Sequence, residues 1–277
     1  MEARGCALVT GASRGIGRAL ALELARRGFD VVAGMREPDA GLAAAAGEAG
    51  GRIRSERLDV TAPGGFPMPE RLRVLVNNAG VEGEYLPVEE APLDLWRRIF
   101  ETNVFGLVEI TRRAIPALRA AGGGVVCNVT SSALLAPMPF YAAYRASKAA
   151  VGALGESLRA ELAPFGIRVV EILPGPVDTD MLAGSARPPE ALAFAPYRAL
   201  AGRAWQGRNA AAAQKVQPEE AARAMADAIL DDAGPLRHAC DPVGRSLLAG
   251  WRRAPDEDWM RGILSAFSGI GGTPPGR

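Results

Sequence analysis

The stretch C-A-L-V-T-G-A-S-R-G-I-G-R-A-L-A-L-E-L-A-R-R-G, residues 6–28, decides the predicted fold. Its first five residues form an apolar run that predicts a buried strand, and residues 18–27 place apolar side chains at helical spacing up to Gly28. The glycine-rich turn between them allows close approach to the backbone, and the N-terminus of the following helix favours an anion. The stretch therefore predicts a phosphate-binding βα turn, with a tight turn that binds nothing as the alternative.

The same alternation of strand and helix continues along the chain. Further strands are predicted at residues 30–34, 53–58, 74–76, 124–130, 167–173 and 236–240. Helices are predicted at residues 40–49, 92–121, 141–163, 218–230, 243–250 and 256–267. Pro116 lies inside the second of these and predicts a kink or a split there. The rhythm favours an α/β fold with a doubly wound parallel sheet.

Three segments depart from this rhythm. Residues 62–70 contain three prolines and two glycines, which excludes a full helix between two strands. Residues 182–216 lose all periodicity, and we expect a long irregular loop there that covers a substrate. Residues 1–268 are predicted to form one domain, and residues 269–277 a disordered tail.

Composition narrows the classes of function. A formal net charge of +1 argues against a nucleic-acid surface. Cys6, Cys127 and Cys240 are scattered, with no metal-binding spacing and no even disulfide framework, so no metal site is predicted. The apolar runs are too short to span a membrane, and the first residues lack the apolar core of a signal peptide. We expect a cytoplasmic protein that acts on a small molecule.

Candidate acid–base chemistry lies between residues 131 and 148. Tyr144 and Lys148 are four residues apart, so they share one face of a helix. An ammonium group one turn away is expected to lower the pKa of the phenol, which is otherwise about 10. Ser131 follows a buried strand, which places its hydroxyl at the edge of the sheet where α/β folds bind ligands. The alternative is a packed aromatic side chain with a solvent-seeking lysine; Tyr141 has no lysine four residues later.

Together these motifs resemble those of the short-chain dehydrogenase/reductase family. They occur in the family's order over about the first two-thirds of the chain. The matching residues are T-G-A-S-R-G-I-G at 10–17, Asp59, N-N-A-G at 77–80, Asn103, Ser131, Y-x-x-x-K at 144–148 and P-G-P-V-D-T at 174–179. The resemblance implies a single Rossmann-like domain with a parallel sheet of about seven strands. Family members usually carry a helix before Asn77, so the connection at 62–70 is expected to leave one sheet face partly uncovered.

The resemblance also implies a role for each catalytic position. Tyr144 would be the acid–base group, and Ser131 would hold the oxygen of the carbonyl or alcohol. Lys148 would lower the pKa of Tyr144 and bind the nicotinamide ribose. Asn103 would hold a water molecule in a proton relay to Lys148.

Cofactor contacts follow from the same resemblance. The glycines of the first turn would line the pyrophosphate, Asp59 would contact adenine, Asn77 the floor of the site and Thr179 the carboxamide. The full set of implied contacts is Gly11, Ser13, Arg14, Gly15, Ile16, Gly17, Arg36, Asp59, Val60, Asn77, Ala79, Gly80, Tyr144, Lys148, Pro174, Gly175, Val177 and Thr179.

The end of the second strand indicates which dinucleotide binds. A site that prefers NAD places an acid there to bind the ribose 2′-hydroxyl, whereas an arginine suits a 2′-phosphate. This chain has Met35 and Arg36 at that point, and Arg14 lies in the glycine-rich turn. We expect NADP(H) to be preferred, with NAD(H) as the alternative; both arginines could also be ordinary surface charges.

The predicted function is an NADP(H)-dependent oxidoreductase that interconverts a secondary alcohol and a ketone, or an aldehyde and its alcohol, on a fairly apolar molecule. The rivals are the same chemistry with NAD and a dinucleotide-binding regulatory protein without turnover. A methyltransferase would share the glycine-rich turn but would not require Tyr144 and Lys148. The family commonly pairs its helices between subunits, so a homodimer or homotetramer is expected.

Overall fold

Parallel strands form the centre of the molecule. The computed structural model describes residues 1–48 and 50–268, and within them seven strands form one sheet in the order β3-β2-β1-β4-β5-β6-β7. The strands are β1 (Cys6–Thr10), β2 (Asp30–Met35), β3 (Arg52–Arg57), β4 (Leu72–Asn77), β5 (Gly124–Val129), β6 (Ile167–Ile172) and β7 (Arg237–His238). Every neighbouring pair is parallel. The predicted fold class is confirmed.

Helices cover both faces of this sheet. They are α1 (Gly15–Arg27), α2 (Ala40–Glu48), α3 (Leu93–Phe100), α4 (Leu107–Ala120), α5 (Ala142–Leu162), α6 (Asp180–Ser185), α7 (Arg198–Ala212), α8 (Pro218–Leu230), α9 (Pro242–Arg253) and α10 (Asp256–Ser268). On one face, Leu20 of α1 and Met225 of α8 pack into one core cluster with strand residues. On the other, Ile110 of α4 and Leu158 of α5 pack against Leu75 and its neighbours. Burial on both faces explains why β1, β2 and β5 are mostly apolar.

The strand order indicates at which edge of the sheet a ligand would bind. Chain order reverses between β1 and β4, which lie side by side at the centre of the sheet. Helices from the two halves diverge there, so a crevice opens beyond the carboxyl ends of these strands. The residues after β1, β4, β5 and β6 all lie at this edge.

A kink or a split was predicted at Pro116, and the helix does not split there. Residues 93–120 are interrupted earlier, by a π-helical turn at Glu101–Gly106, and α4 continues through Pro116. Pro116 is exposed, so the carbonyl that loses its helix partner can bond to water. The helix is irregular instead at Asn103, whose side-chain amide forms hydrogen bonds with the backbone of Val81 outside the helix. π turns inside helices are frequent at functional sites.

The expectation of an irregular loop at residues 182–216 is also wrong. Helix α6, a 3₁₀ turn at Glu190–Ala193 and helix α7 occupy most of the segment. Helix α7 fully buries only Ala201 and Ala204, so it lacks the broad apolar stripe by which a packed helix is recognised in sequence. Its many alanines have high helix propensity and sustain the helix instead.

The connection between β3 and β4 contains no helix, as predicted. Phe66 and Met68 pack into the same core cluster as Leu75, so two side chains of this connection cover part of the sheet. Arg113 of α4 donates a 2.6 Å hydrogen bond to the carbonyl of Phe66 and fixes the segment. The predicted tail at 269–277 lies outside the described residues.

Candidate active site

One large cleft at the carboxyl edge of the sheet brings most of the predicted site residues together. It has a volume of about 620 Å³, which is within the range of small-molecule sites. The catalytic candidates that line it are Ser131, Tyr144 and Lys148. The predicted cofactor contacts that line it are Gly11, Ser13, Arg14, Gly15, Ile16, Gly17, Arg36, Asp59, Val60, Ala79, Gly80, Tyr144, Lys148, Pro174, Gly175, Val177 and Thr179.

The glycine-rich turn forms a tight backbone cradle. Gly11 and Gly15 have φ angles of +66° and +54°, a region that favours glycine. A Cβ atom on Gly17 would lie 2.4 Å from the carbonyl oxygen of Gly11, so only glycine fits there. Helix α1 begins at this turn without a side-chain cap or an acidic residue in its first turn. Its first N–H groups thus remain available for an anion, and the cradle fits a pyrophosphate.

Ser131, Tyr144 and Lys148 converge from two elements. Ser131 follows β5 and caps a 3₁₀ turn by accepting a 3.1 Å hydrogen bond from the amide of Ala133. Tyr144 and Lys148 lie one turn apart on α5, and both are buried. The ammonium nitrogen of Lys148 lies 5.8 Å from the centroid of the Tyr144 ring and donates a 2.8 Å hydrogen bond to the carbonyl of Val129.

Burial reverses the pKa shift that the sequence predicts for Tyr144. Loss of solvent raises the pKa of Tyr144 above its usual value, and the nearby charge of Glu82 raises it further. A side-chain hydrogen bond with Ser131 acts in the opposite direction. Burial also lowers the pKa of Lys148 to about 8. Tyr144 is therefore a protonated phenol near neutral pH, which suits it to donate a proton.

Asn103 lies beside the cleft, and its side chain makes three hydrogen bonds. Its Oδ1 atom accepts a 2.8 Å hydrogen bond from the amide of Val81, and its Nδ2 atom donates to the carbonyl of Val81 at 2.9 Å and to the hydroxyl of Ser147 at 3.0 Å. A Cβ atom on Gly80 would lie 3.3 Å from Asn103 Oδ1 and 3.4 Å from Lys148 Nζ. Asn103 and Lys148 thus flank Gly80, while Asn103 fastens α5 to the loop after β4.

Asn77 is not placed in the cleft. Its side chain is buried and donates hydrogen bonds to Thr111 at 2.8 Å and to Asn128 at 2.9 Å. The next residue, Asn78, lines the cleft and donates to the carbonyls of Thr10 and Gly11. Successive residues of a strand point to opposite faces. The side chain of Asn77 is therefore buried between helix and sheet residues, whereas that of Asn78 reaches the cleft.

Arg36 and Arg14, the two arginines predicted to meet a 2′-phosphate, both line the cleft. Arg36 is exposed at the end of β2. Hydrogen bonds from Thr61 lower the pKa of Asp59, and the charges of Arg36 and Arg57 lower it further. Arg14 forms an exposed 3.1 Å ion pair with Asp180 at the start of α6. Arg14 would have to break its ion pair with Asp180 before it could bind a phosphate. Arg36 is therefore the better placed of the two to bind one.

Sequence reasoning missed a second group of polar side chains in the cleft. Glu82, Tyr141 and Ser185 line it together with Tyr144. Glu82 accepts hydrogen bonds from both of the other two. A signal existed for Glu82, which stands two residues after the N-N-A-G motif, but nothing in the sequence linked it to Ser185.

Comparison with known proteins identifies the family. The family model for short chain dehydrogenases matches residues 5–189. The chain belongs to this family. An uncharacterized oxidoreductase, YusZ, from Bacillus subtilis is 37% identical over 187 residues, which span 63% of this chain and 66% of that protein. The match therefore covers slightly less than two-thirds of that relative's length.

Two solved structures of this short chain dehydrogenase family show the same architecture. One from Burkholderia cenocepacia, in complex with NADP, is 28% identical with a TM-score of 0.70, covering 96% of this chain and 98% of that chain. Another from Burkholderia phymatum, in complex with NAD, is 26% identical with a TM-score of 0.71, covering 91% and 93%.

Proposed function

We propose that this short chain dehydrogenase is an NADP(H)-dependent oxidoreductase that interconverts a ketone and a secondary alcohol, or an aldehyde and its alcohol, on a fairly apolar small molecule. One observation carries the proposal: the cleft that contains the uncapped N-terminus of α1 also contains Ser131, Tyr144 and Lys148. One cavity would therefore bring a dinucleotide and an acid–base group together. The buried free cysteines are consistent with the cytoplasm as its location.

Residues of this chain would hold the dinucleotide along the cleft. The glycine-rich turn and the N-terminus of α1 would bind the pyrophosphate, and Arg36 would bind a 2′-phosphate. Hydride transfer to or from the substrate carbon is the chemistry that a nicotinamide supplies when bound. The Burkholderia structures in complex with NADP and with NAD support a cofactor of this class and leave NAD(H) as the alternative.

Tyr144 and Ser131 would handle the substrate oxygen. The Ser131 hydroxyl would hold that oxygen, and Tyr144, protonated near neutral pH, would donate a proton to it during reduction. In the reverse direction, the phenolate form of Tyr144 would accept the alcohol proton and return to the phenol, and the positive charge of Lys148 would stabilise that phenolate. Apolar side chains of the same cleft, Val81, Met181 and Leu182, would contact the body of the substrate.

The test compares two tyrosines that share one cleft. With NADPH and a panel of ketones and aldehydes, Tyr144→Phe should lower kcat by about 10²–10⁴-fold, because the general acid is lost while the ring remains. The matched control, Tyr141→Phe, should lose less than about tenfold, since its ring also stays stacked on Tyr144. NADPH binding, measured by fluorescence titration, should be retained in both. Normal turnover by Tyr144→Phe would show that Tyr144 is not the general acid.

A further inference from the structure

A carboxylate with no role in the proposed hydride and proton transfer faces the reacting groups. Glu82 lies in the loop after β4 and lines the cleft with Ser131 and Tyr144. Its oxygens accept hydrogen bonds from the hydroxyls of Tyr141 at 2.7 Å, Ser185 at 3.0 Å and Tyr85 at 3.2 Å. These donors belong to the start of α5, the end of α6 and the loop itself, so three elements fix one carboxylate.

Two cationic side chains near Tyr85, Arg187 and Arg208, interact electrostatically with Glu82. The guanidinium carbons of Arg208 and Arg187 lie 3.7 Å and 4.8 Å from the centroid of the Tyr85 ring. Arg187 also donates to the carbonyl of Gly83, next to Glu82. Among the described residues, the buried Nε and Nη2 atoms of Arg208 have no hydrogen-bond partner, so its charge is available to the field around Glu82. A carboxylate is therefore tolerated at a partly buried position.

Glu82 also lies close to the reacting hydroxyl. The Tyr141 ring, whose hydroxyl bonds to Glu82, stacks on the Tyr144 ring with centroids 4.6 Å apart and planes inclined by 28°. The charge of Glu82 is the largest cause, after burial, of the raised pKa of Tyr144. A substrate whose oxygen meets Tyr144 would therefore place its neighbouring atoms within the field of this carboxylate.

The hydrogen bonds of Glu82 leave room for one more donor. A carboxylate offers about four acceptor positions. Tyr85, Tyr141 and Ser185 can supply at most three protons, and the Ser185 proton is shared with both oxygens of Glu82 and with the carbonyl of Met181. Ser185 contacts both oxygens but can donate its proton to only one, so one acceptor position of Glu82, a side chain that lines the cleft, remains for another donor.

We infer that Glu82 binds the substrate by accepting a hydrogen bond from a hydroxyl or ammonium group near its reacting carbon, and that it excludes substrates with a carboxylate there. The inference rests on the proposed function and narrows its substrate class to a largely apolar ketone or alcohol that carries such a donor. Like charge would repel a substrate carboxylate, whereas a donor would gain a charge-assisted hydrogen bond.

Cyclohexanones with one variable group at carbon 3, two bonds from the carbonyl carbon, test this selection. The probes carry methyl, hydroxyl, amino or carboxylate, and kcat/KM is measured with saturating NADPH at pH 7. The wild type should favour the amino over the carboxylate compound by about tenfold or more, the size of one charge-assisted hydrogen bond. Glu82→Gln should bring this ratio close to one, because the amide keeps the shape and removes the charge.

Two further variants separate substrate binding from a structural role. Glu84→Gln removes an exposed neighbouring carboxylate that pairs with Arg98 at 3.0 Å outside the cleft, and it should preserve the ratio. Ser185→Ala removes the contact between α6 and Glu82 but keeps the charge, so it should change all four probes alike. An equal loss on every probe in Glu82→Gln, with an unchanged ratio, would show that Glu82 only fastens α6 and would overturn the inference.

A binding measurement keeps this test independent of turnover. Calorimetric titration of the amino and carboxylate compounds into protein saturated with NADP⁺ should give the same preference, and Glu82→Gln should abolish it. Charge selection in binding without reduction of any ketone would contradict the proposed oxidoreductase and support the role of Glu82. Reduction of the ketones without charge selection would support the proposed oxidoreductase and contradict the role of Glu82.

Discussion

At the scale of single residues, Lys148 carries the clearest electrostatic cost. Its ammonium group is buried, and burial lowers its pKa from 10.5 to about 8. Between these two values the unfolded chain keeps a proton that the folded protein has lost. The contribution of Lys148 to the free energy of unfolding therefore rises with pH across this window, by about 3 kcal/mol in total.

Replacing Lys148 should make this cost visible. We expect the free energy of unfolding of the wild type, minus that of Lys148→Met, to increase by about 3 kcal/mol as pH rises through 8 toward 10.5. Urea unfolding of the two proteins across this range measures it. Lys215→Met is the matched control, since Lys215 is the other lysine and is partly exposed beside Asp178. If the difference in free energy of unfolding between wild type and Lys148→Met did not change with pH, the lowered pKa of Lys148 would be contradicted.

Arg36 should decide the choice of dinucleotide. A planar guanidinium binds phosphate oxygens in pairs, and one such contact predicts a preference for NADPH over NADH of about tenfold or more. Met35 is 2% exposed and packs in the core, so an acid is better introduced at Arg36 than beside it. Arg36→Asp should therefore reverse the preference in kcat/KM at fixed ionic strength.

The control for this prediction is Arg57→Ala, which removes another positive charge near Asp59 from outside the cleft. It should leave the cofactor ratio unchanged. A wild-type enzyme that favours NADH would make Arg36 an ordinary surface charge.

At the scale of elements, α9 supports the far end of the cleft. Asp241 begins this helix, is fully buried, and accepts hydrogen bonds from the amide of Gly175 at 2.6 Å and of Gly244 at 2.8 Å. Gly175 belongs to the loop after β6, and a Cβ atom there would lie 2.4 Å from Asp241 Oδ1. One carboxylate thus caps a helix and positions a cleft residue.

Asp241→Ala should lower the free energy of unfolding by on the order of 2–4 kcal/mol, because the cap is lost and two amides are left without an acceptor. It should also weaken NADPH binding, since Gly175 is no longer held. Urea unfolding and fluorescence titration measure the two effects. Asp231→Ala, which removes an exposed turn contact to Ala233, should change neither by a comparable amount.

Elements also show what sequence can predict. Strands β1 and β4 were recoverable because their central residues, 6–9 and 74–76, are buried and form apolar runs. Helix α7 was not, because only two alanines of its length are fully buried and no stripe marks them. Likewise, the spacing of Tyr144 and Lys148 is local and visible, whereas the bond between Glu82 and Ser185 joins residues 103 positions apart that only the fold brings together.

At the scale of the whole molecule, exposed apolar side chains lie near the junction of α3 and α4. Phe105 and Val108 are 58% and 37% exposed, and Ala149 of α5 is exposed as well. Val151, in contrast, is completely buried, so α5 has an exposed and a buried face. Exposed apolar side chains of this size favour association, since burying them stabilises by about 25 cal/mol per Å².

We therefore predict that the protein forms a homodimer or homotetramer through this face. Multi-angle light scattering at micromolar concentration should give a multiple of the 29.0 kDa chain mass. Phe105→Glu should shift the mass toward the monomer, because a charge buried at an interface is costly without a partner. Val88→Glu changes an apolar side chain that is equally exposed, at 63%, but lies in the loop before α3, and it should leave the mass unchanged. A monomeric wild type would show that Phe105 remains in solvent, and an oligomer that survives Phe105→Glu would place the interface on another face.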